Sequence, residues 1–141
     1  MRVREARAEE LAACIAVRHE VFVVGQGVPV EIEQDGRDSE CRHAIVVEAG
    51  QVLGTARLRV TEIGEAKAER VAVRSTARGR GLGRLLMEAL EGLAREADHS
   101  ALVLHAQADV IGFYEHIGYV AEGERFFEAD IEHLSMRRDL A

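Results

Sequence analysis

The stretch from Ala66 to Ala97 constrains this chain most. A β-forming run ends in Val71-Ala72-Val73, the loop Arg78-Gly79-Arg80-Gly81-Leu82-Gly83 follows, and an amphipathic run comes after it. Leu85, Leu86, Ala89, Leu90, Leu93 and Ala97 recur at helical spacing, which predicts a helix ending near Ala97. A helix N-terminus leaves backbone N–H groups unpaired and carries partial positive charge. Glycines at that point let the backbone approach a bulky anion and take up positive φ. Arg74, Arg78, Arg80 and Arg84 fall together with no intervening carboxylate. Strand, loop and helix therefore predict a diphosphate site, with guanidinium groups adding charge-assisted hydrogen bonds.

Around this unit, residues 1–141 read as a single domain, without linker, repeat or low-complexity segment. Residues 2–7 alternate as a strand does. Ala8 to about Val24 reads as a helix with Leu11, Cys14, Ile15 and Phe22 near one stripe, broken by Gly25, Gly27 and Pro29. The polar stretch to about Arg42 holds Glu31, Glu33, Asp35, Asp38 and Glu40, and its length marks it as a candidate substrate loop. Residues 43–49 and 51–61 form a hairpin turning at Ala49-Gly50-Gln51, and 66–73 form the next strand. Ala101 to His105 is a buried strand, 109–117 a short helix stopped by Gly118, and Tyr119-Val120 with about 132–138 complete the sheet. The order is β-α-βββ-α-β-α-ββ, a mixed α/β domain.

A formal net charge of −7 argues against nucleic acid as a partner. No apolar run approaches the ~20 residues that span a bilayer, and the N-terminus has no signal-peptide pattern. Two cysteines are too few for a disulfide framework, and Cys41 with His43 lacks the second pair that zinc requires. A cytoplasmic protein without metal is expected.

The loop distinguishes between anionic ligands. A Walker loop ends in Gly-Lys-Ser/Thr, whereas Gly83 precedes Arg84-Leu85. The dinucleotide fingerprint requires Gly-x-Gly-x-x-Gly and an acid ending the next strand, whereas this strand ends in His105. The remaining pattern, Arg-x-x-Gly-x-Gly after Val-Ala-Val, is similar to the coenzyme A loop of the GNAT superfamily of N-acetyltransferases. The stretches Leu104-His105-Ala106-Gln107, Phe113-Tyr114 and Glu128-Ala129-Asp130-Ile131-Glu132-His133 resemble its ElaA-like branch, as do Arg18-His19-Glu20-Val21-Phe22-Val23 and Gln26-Gly27-Val28-Pro29. Gly25, where that branch often carries an acid, and Val110, where a small residue is common, depart from the pattern.

The resemblance implies a GNAT fold, with a mostly antiparallel central sheet and helices on both faces, that uses acetyl-CoA. It implies that pantetheine pairs with backbone of Val71, Ala72 and Val73. The pyrophosphate would lie on Arg78, Gly79, Arg80, Gly81, Leu82, Gly83 and Arg84, with Gln107, Phe113 and Tyr114 as further cofactor contacts. Tyr114 matches the family's acid tyrosine. Arg18, Phe22, Gln26 and the 25–42 loop would wall the acceptor pocket, with His133 as a further substrate contact, and a homodimer is possible. Direct transfer to an amine also needs a base. Strand alternation puts Glu69 on one face with Lys67, Val71 and Val73, beside the thioester. His105, ending the next strand, is the other candidate. The expected activity is acetyl transfer to a primary amine of a small molecule or peptide; the alternative is a CoA-binding or partner-binding module without turnover.

Overall fold

A computed structural model describes the whole chain, Met1 to Ala141. Its strands are β1 (Arg2–Glu5), β2 (Arg42–Glu48), β3 (Gln51–Val60), β4 (Ala66–Val73), β5 (Ala101–Gln107), β6 (Val120–Glu128) and β7 (Ile131–Asp139). The helices are α1 (Leu11–Arg18), α2 (Val30–Glu33), α3 (Leu82–Glu96) and α4 (Ile111–His116). One sheet has the order β1-β2-β3-β4-β5-β7-β6, and every neighbouring pair is antiparallel except β4 with β5. A parallel pair needs a crossover, which α3 supplies. No helix is long and apolar enough to cross a membrane.

Helix α3 buries Leu82, Leu86, Met87, Leu90 and Ala94 against Ala44, Val46, Ala56, Leu58, Leu102 and Leu104. Each buried leucine contributes about 1.5–3 kcal/mol. Helix α4 packs on this same core through Tyr114 and Phe113, while Val17 and Val21 meet Ala72 in a smaller cluster on the α1 side. Helices therefore cover both sheet faces, as expected.

The β2–β3 hairpin turns where predicted, with positive φ at Ala49 (51°) and Gly50 (77°). Other elements differ. The expected first helix is regular only to Arg18 and then widens into a π-turn over His19–Val24, where Gly25 N–H donates to Glu20 C=O at 3.0 Å. A Cβ on Gly25 would lie 2.5 Å from the Val21 carbonyl oxygen, so an acid cannot stand there in this conformation. Strand β6 runs nine residues where the sequence shows only Tyr119-Val120. Nearly all of it is exposed and β7 is its sole neighbour, so it carries little of the alternation that marks a half-buried strand.

One difference relocates the site. Thr55 pairs with Ala72 but Arg57 with Glu69, so Arg70 and Val71 bulge against Ala56 alone, and Arg70 takes φ of 55°. The extra residue reverses the phase of β4. Ala66 and Ala68 join the α3-side core, and so do Val71 and Val73, while Ala72 joins the α1-side cluster. The expectation that Glu69 shares a face with Val71 and Val73 is corrected; its partner in phase is Lys67, with which it forms an ion pair at 3.3 Å.

Candidate active site

The β4–β5 pairing ends at Ala68 opposite Leu104. Beyond it β4 keeps β3 on one side and has no strand on the other, leaving backbone N–H and C=O groups without ladder partners. A cleft of about 630 Å³ opens in this gap. Glu69, Val71, Ala72, Val73 and Arg78 line it, facing His105 and Gln107 from β5 and Phe113 and Tyr114 from α4. Phe22, Gln26 and His133 reach it too, so most of the residues singled out in the sequence converge here. Gln26, expected at the acceptor, and Gln107, expected at the cofactor, join through paired amide hydrogen bonds of 3.1 and 2.9 Å.

At the start of α3, Gly79 and Gly81 adopt φ of 80° and 74°, with open space where a Cβ would project. The first helical bond runs from Leu85 N–H to Gly81 C=O, so the preceding amides of the turn are free of helical partners. A Cβ on Gly83 would come within 3.3 Å of the Phe113 ring, which shows how closely α4 packs on the helix start. Leu82 is a core side chain that offers the loop only its backbone. Arg78 Nε donates to Val73 C=O at 3.3 Å, while Arg80 and Arg84 form exposed pairs with Glu48 and Glu88. Exposed pairs of this kind are worth about 0–1 kcal/mol and exchange readily for a phosphate. An open amide turn beside an unpaired strand edge fits the two anchoring regions of coenzyme A.

The acetyltransferase (GNAT) domain family matches residues 5–140. This chain belongs to the GNAT family. An N-acetyltransferase of Bacillus subtilis strain 168, YjcF, is 37% identical over 132 residues, covering 93% of this chain and 94% of the relative. An acyl-CoA N-acyltransferase from Pseudomonas aeruginosa superposes with a TM-score of 0.84 at 36% identity, covering 98% and 99% of the two chains. Escherichia coli ElaA gives 0.83 at 25% identity, with the same coverage.

In this GNAT domain the polar 25–42 stretch is docked by charge. Arg18 is wholly buried, absent from the cleft wall, and paired with Glu33 at 2.8 Å and Asp38 at 2.6 Å. The expectation that it lines the acceptor pocket is corrected: its role is to tie α1 to the loop. Arg57, equally buried, holds Asp35, Asp38 and Glu69, while Arg70 holds Glu33. Three of the loop's five acids, Glu33, Asp35 and Asp38, thus turn inward to arginines on α1, β3 and β4, while Glu31 and Glu40 stay exposed.

Glu69 belongs to this network. Burial alone would raise its carboxyl, but hydrogen bonds from Arg59 and Arg57 and the charges of Arg57 and Lys67 overcome that and hold its pKa at about 2. The folded value lies below the ordinary 4.5, so its contribution to stability is complete above pH 4.5 and is lost as pH falls towards 2. We expect Glu69→Gln to be less stable at neutral pH and to show a flatter acid limb in urea midpoints measured against pH. An unaltered acid limb would refute the assignment.

On the opposite wall, Tyr114 is 7% exposed and touches the Phe113 and Tyr119 rings edge-on. Burial pushes its phenol pKa well above the usual value. His105 Nδ1 lies 3.1 Å from Glu128 Oε1, and the Phe126 ring meets the imidazole edge-on at 4.9 Å. His133 is nearly buried, donates from Nδ1 to Ile131 C=O at 2.7 Å, and stacks on Phe126. Sequence reasoning gave Glu128 no role. The only signal was its place in the resembling stretch, because its partner is twenty-three residues away in the chain.

Proposed function

We propose that this domain transfers an acetyl group from acetyl-CoA directly to a primary amine of a small molecule or peptide. The observation that carries the reading is the free edge of β4 from Glu69 to Val73, leading into the Arg78–Arg84 turn. Backbone groups of Val71 and Val73 bind the pantetheine arm as an added strand, and the amides of the turn bind the diphosphate. Acetyl-CoA supplies the activated thioester. A backbone N–H of the free edge polarises its carbonyl.

His105 takes the proton that the ammonium of the acceptor must lose before attack. We assign this role to His105 over Glu69, because a carboxyl held near 2 by three cations is a poor proton acceptor at neutral pH. Tyr114 stays protonated and serves as the acid by donating to the departing sulfur. A thiolate is less basic than a phenolate, so a hydrogen bond suffices without complete proton transfer. Phe22 and Gln26 wall the acceptor side of the cleft.

Thiol release from acetyl-CoA across a panel of amines tests the reading. Turnover is expected with a subset of amines. Background release throughout, with acetyl-CoA still bound, would leave a binding module, and tight ATP binding without coenzyme A binding would overturn the donor. Tyr114→Phe is expected to lower kcat by about tenfold to a hundredfold, the worth of one hydrogen bond to a developing charge, with acetyl-CoA affinity unchanged. An unchanged kcat in single-turnover measurements would remove Tyr114 from the mechanism.

A further inference from the structure

We propose that Glu128 is a positioning residue for His105, fixing the imidazole so that Nδ1 carries the hydrogen and Nε2 is the basic nitrogen offered to the cleft. The inference rests on the reading of His105 as the base. The contact itself is short, at 3.1 Å from Nδ1 to Oε1. An ionised carboxylate can only accept, so the ring nitrogen facing it must donate. The hydrogen bond from His105 is the leading cause that holds the Glu128 carboxyl below its usual range, so the acid stays ionised. A neutral imidazole has one lone pair, and with Nδ1 protonated that pair belongs to Nε2.

The fold explains how the carboxylate arrives there. The β6–β7 hairpin turns through Ala129 and Asp130, both at positive φ, and sets Glu128 opposite Ile131 and Phe126 opposite His133. Strand β7 also pairs with β5, with Gln107 opposite His133 and His105 opposite Ser135. Glu128 and Phe126 thus project from one face of β6 over β7 towards His105. Phe126 limits rotation of the imidazole by its edge-on contact and is itself stacked on His133 at 5.9 Å. His133, anchored to Ile131 C=O, stands 3.8 Å from the second Glu128 oxygen and backs the carboxylate. Arg59 of β3 and Lys67 and Glu69 of β4 also line the cleft; both cations pair with Glu69, and the Lys67 charge acts on Glu128 as well.

The test compares Glu128→Gln, His105→Gln and the double variant with the wild type, reading kcat, KM, the pH profile of kcat/KM, and acetyl-CoA affinity by calorimetry. His105→Gln is expected to lose about 10²–10⁴-fold in kcat, the usual worth of a general base. Glu128→Gln is expected to lose roughly tenfold to a hundredfold in kcat, to shift the acid limb of kcat/KM to lower pH, and to leave acetyl-CoA affinity unchanged. In the His105→Gln background, Glu128→Gln should cost nothing further. An active Glu128→Gln with an unmoved pH profile, beside an inactive His105→Gln, would overturn the positioning role and leave the base in place. A fully active His105→Gln would overturn both. Long-range proton–nitrogen spectra of the wild-type imidazoles give a readout independent of any variant: hydrogen on Nδ1 of neutral His105 is expected, and hydrogen on Nε2 would overturn the proposal.

Discussion

Gly81→Glu is expected to abolish acetyl-CoA binding while the domain stays folded. Gly81 caps α3 in the left-handed region, at φ 74° and ψ 18°. A side chain there costs about 1–2 kcal/mol of backbone strain, with no clash, since nothing stands within 4 Å of its Cβ. A side chain in that space stands beside the amides of the turn, which have no helical partner. A carboxylate placed in it blocks the approach and repels the phosphates, so the loss should exceed about 3 kcal/mol, or a hundredfold in Kd. Calorimetry with acetyl-CoA and a thermal melt would separate the two effects. Asparagine tolerates positive φ and adds no charge but still occupies the space, so Gly81→Asn should lose less affinity than the glutamate variant and isolate the steric share. Unchanged affinity in the glutamate variant would place the phosphates elsewhere.

Arg57→Met is expected to destabilise the domain by about 3–5 kcal/mol, a large part of the ~5–15 kcal/mol that holds a domain of this size folded. The Arg57 side chain is 1% exposed and reaches Asp35 at 2.8 Å, Asp38 at 3.0 Å and Glu69 at 2.7 Å. Methionine fills much of the volume but leaves those mostly buried carboxylates short of a cation that water at the cleft replaces only in part. Arg42→Met breaks partly exposed pairs with Glu5 and Glu96 and should cost no more than about 1 kcal/mol. Urea denaturation of the two variants provides the comparison, and equal losses would mean that solvent already screens the Arg57 network.

What the sequence discloses here is what local chemistry encodes. The turn at Ala49-Gly50, strand 66–73 and the glycine-rich cap of α3 each depend on neighbours in the chain, and each stands where residue type predicts. The bulge was hidden because an arginine at φ 55° gives no compositional sign, and it rephases every residue after it. The inward-facing acids were hidden for a different reason. Glu33, Asp35 and Asp38 look solvated until Arg18, Arg57 and Arg70, drawn from three separate elements, are brought beneath them. Glu128 escaped notice because only the sheet order carries β6 across β7 towards β5.

The bulge at Arg70 divides β4 into two pieces with different obligations. Before it, Lys67 and Glu69 present side chains to one half of the cleft; after it, Val71 to Val73 serve the other half mainly through main-chain atoms, whose character hardly depends on residue identity. Under the proposed reaction the second piece can hold the donor whatever its side chains, whereas Glu69 in the first is bound to Arg57 and Arg59 and has less freedom to change. Such a joint keeps the docking of the charged loop apart from the open main-chain edge a few residues further along.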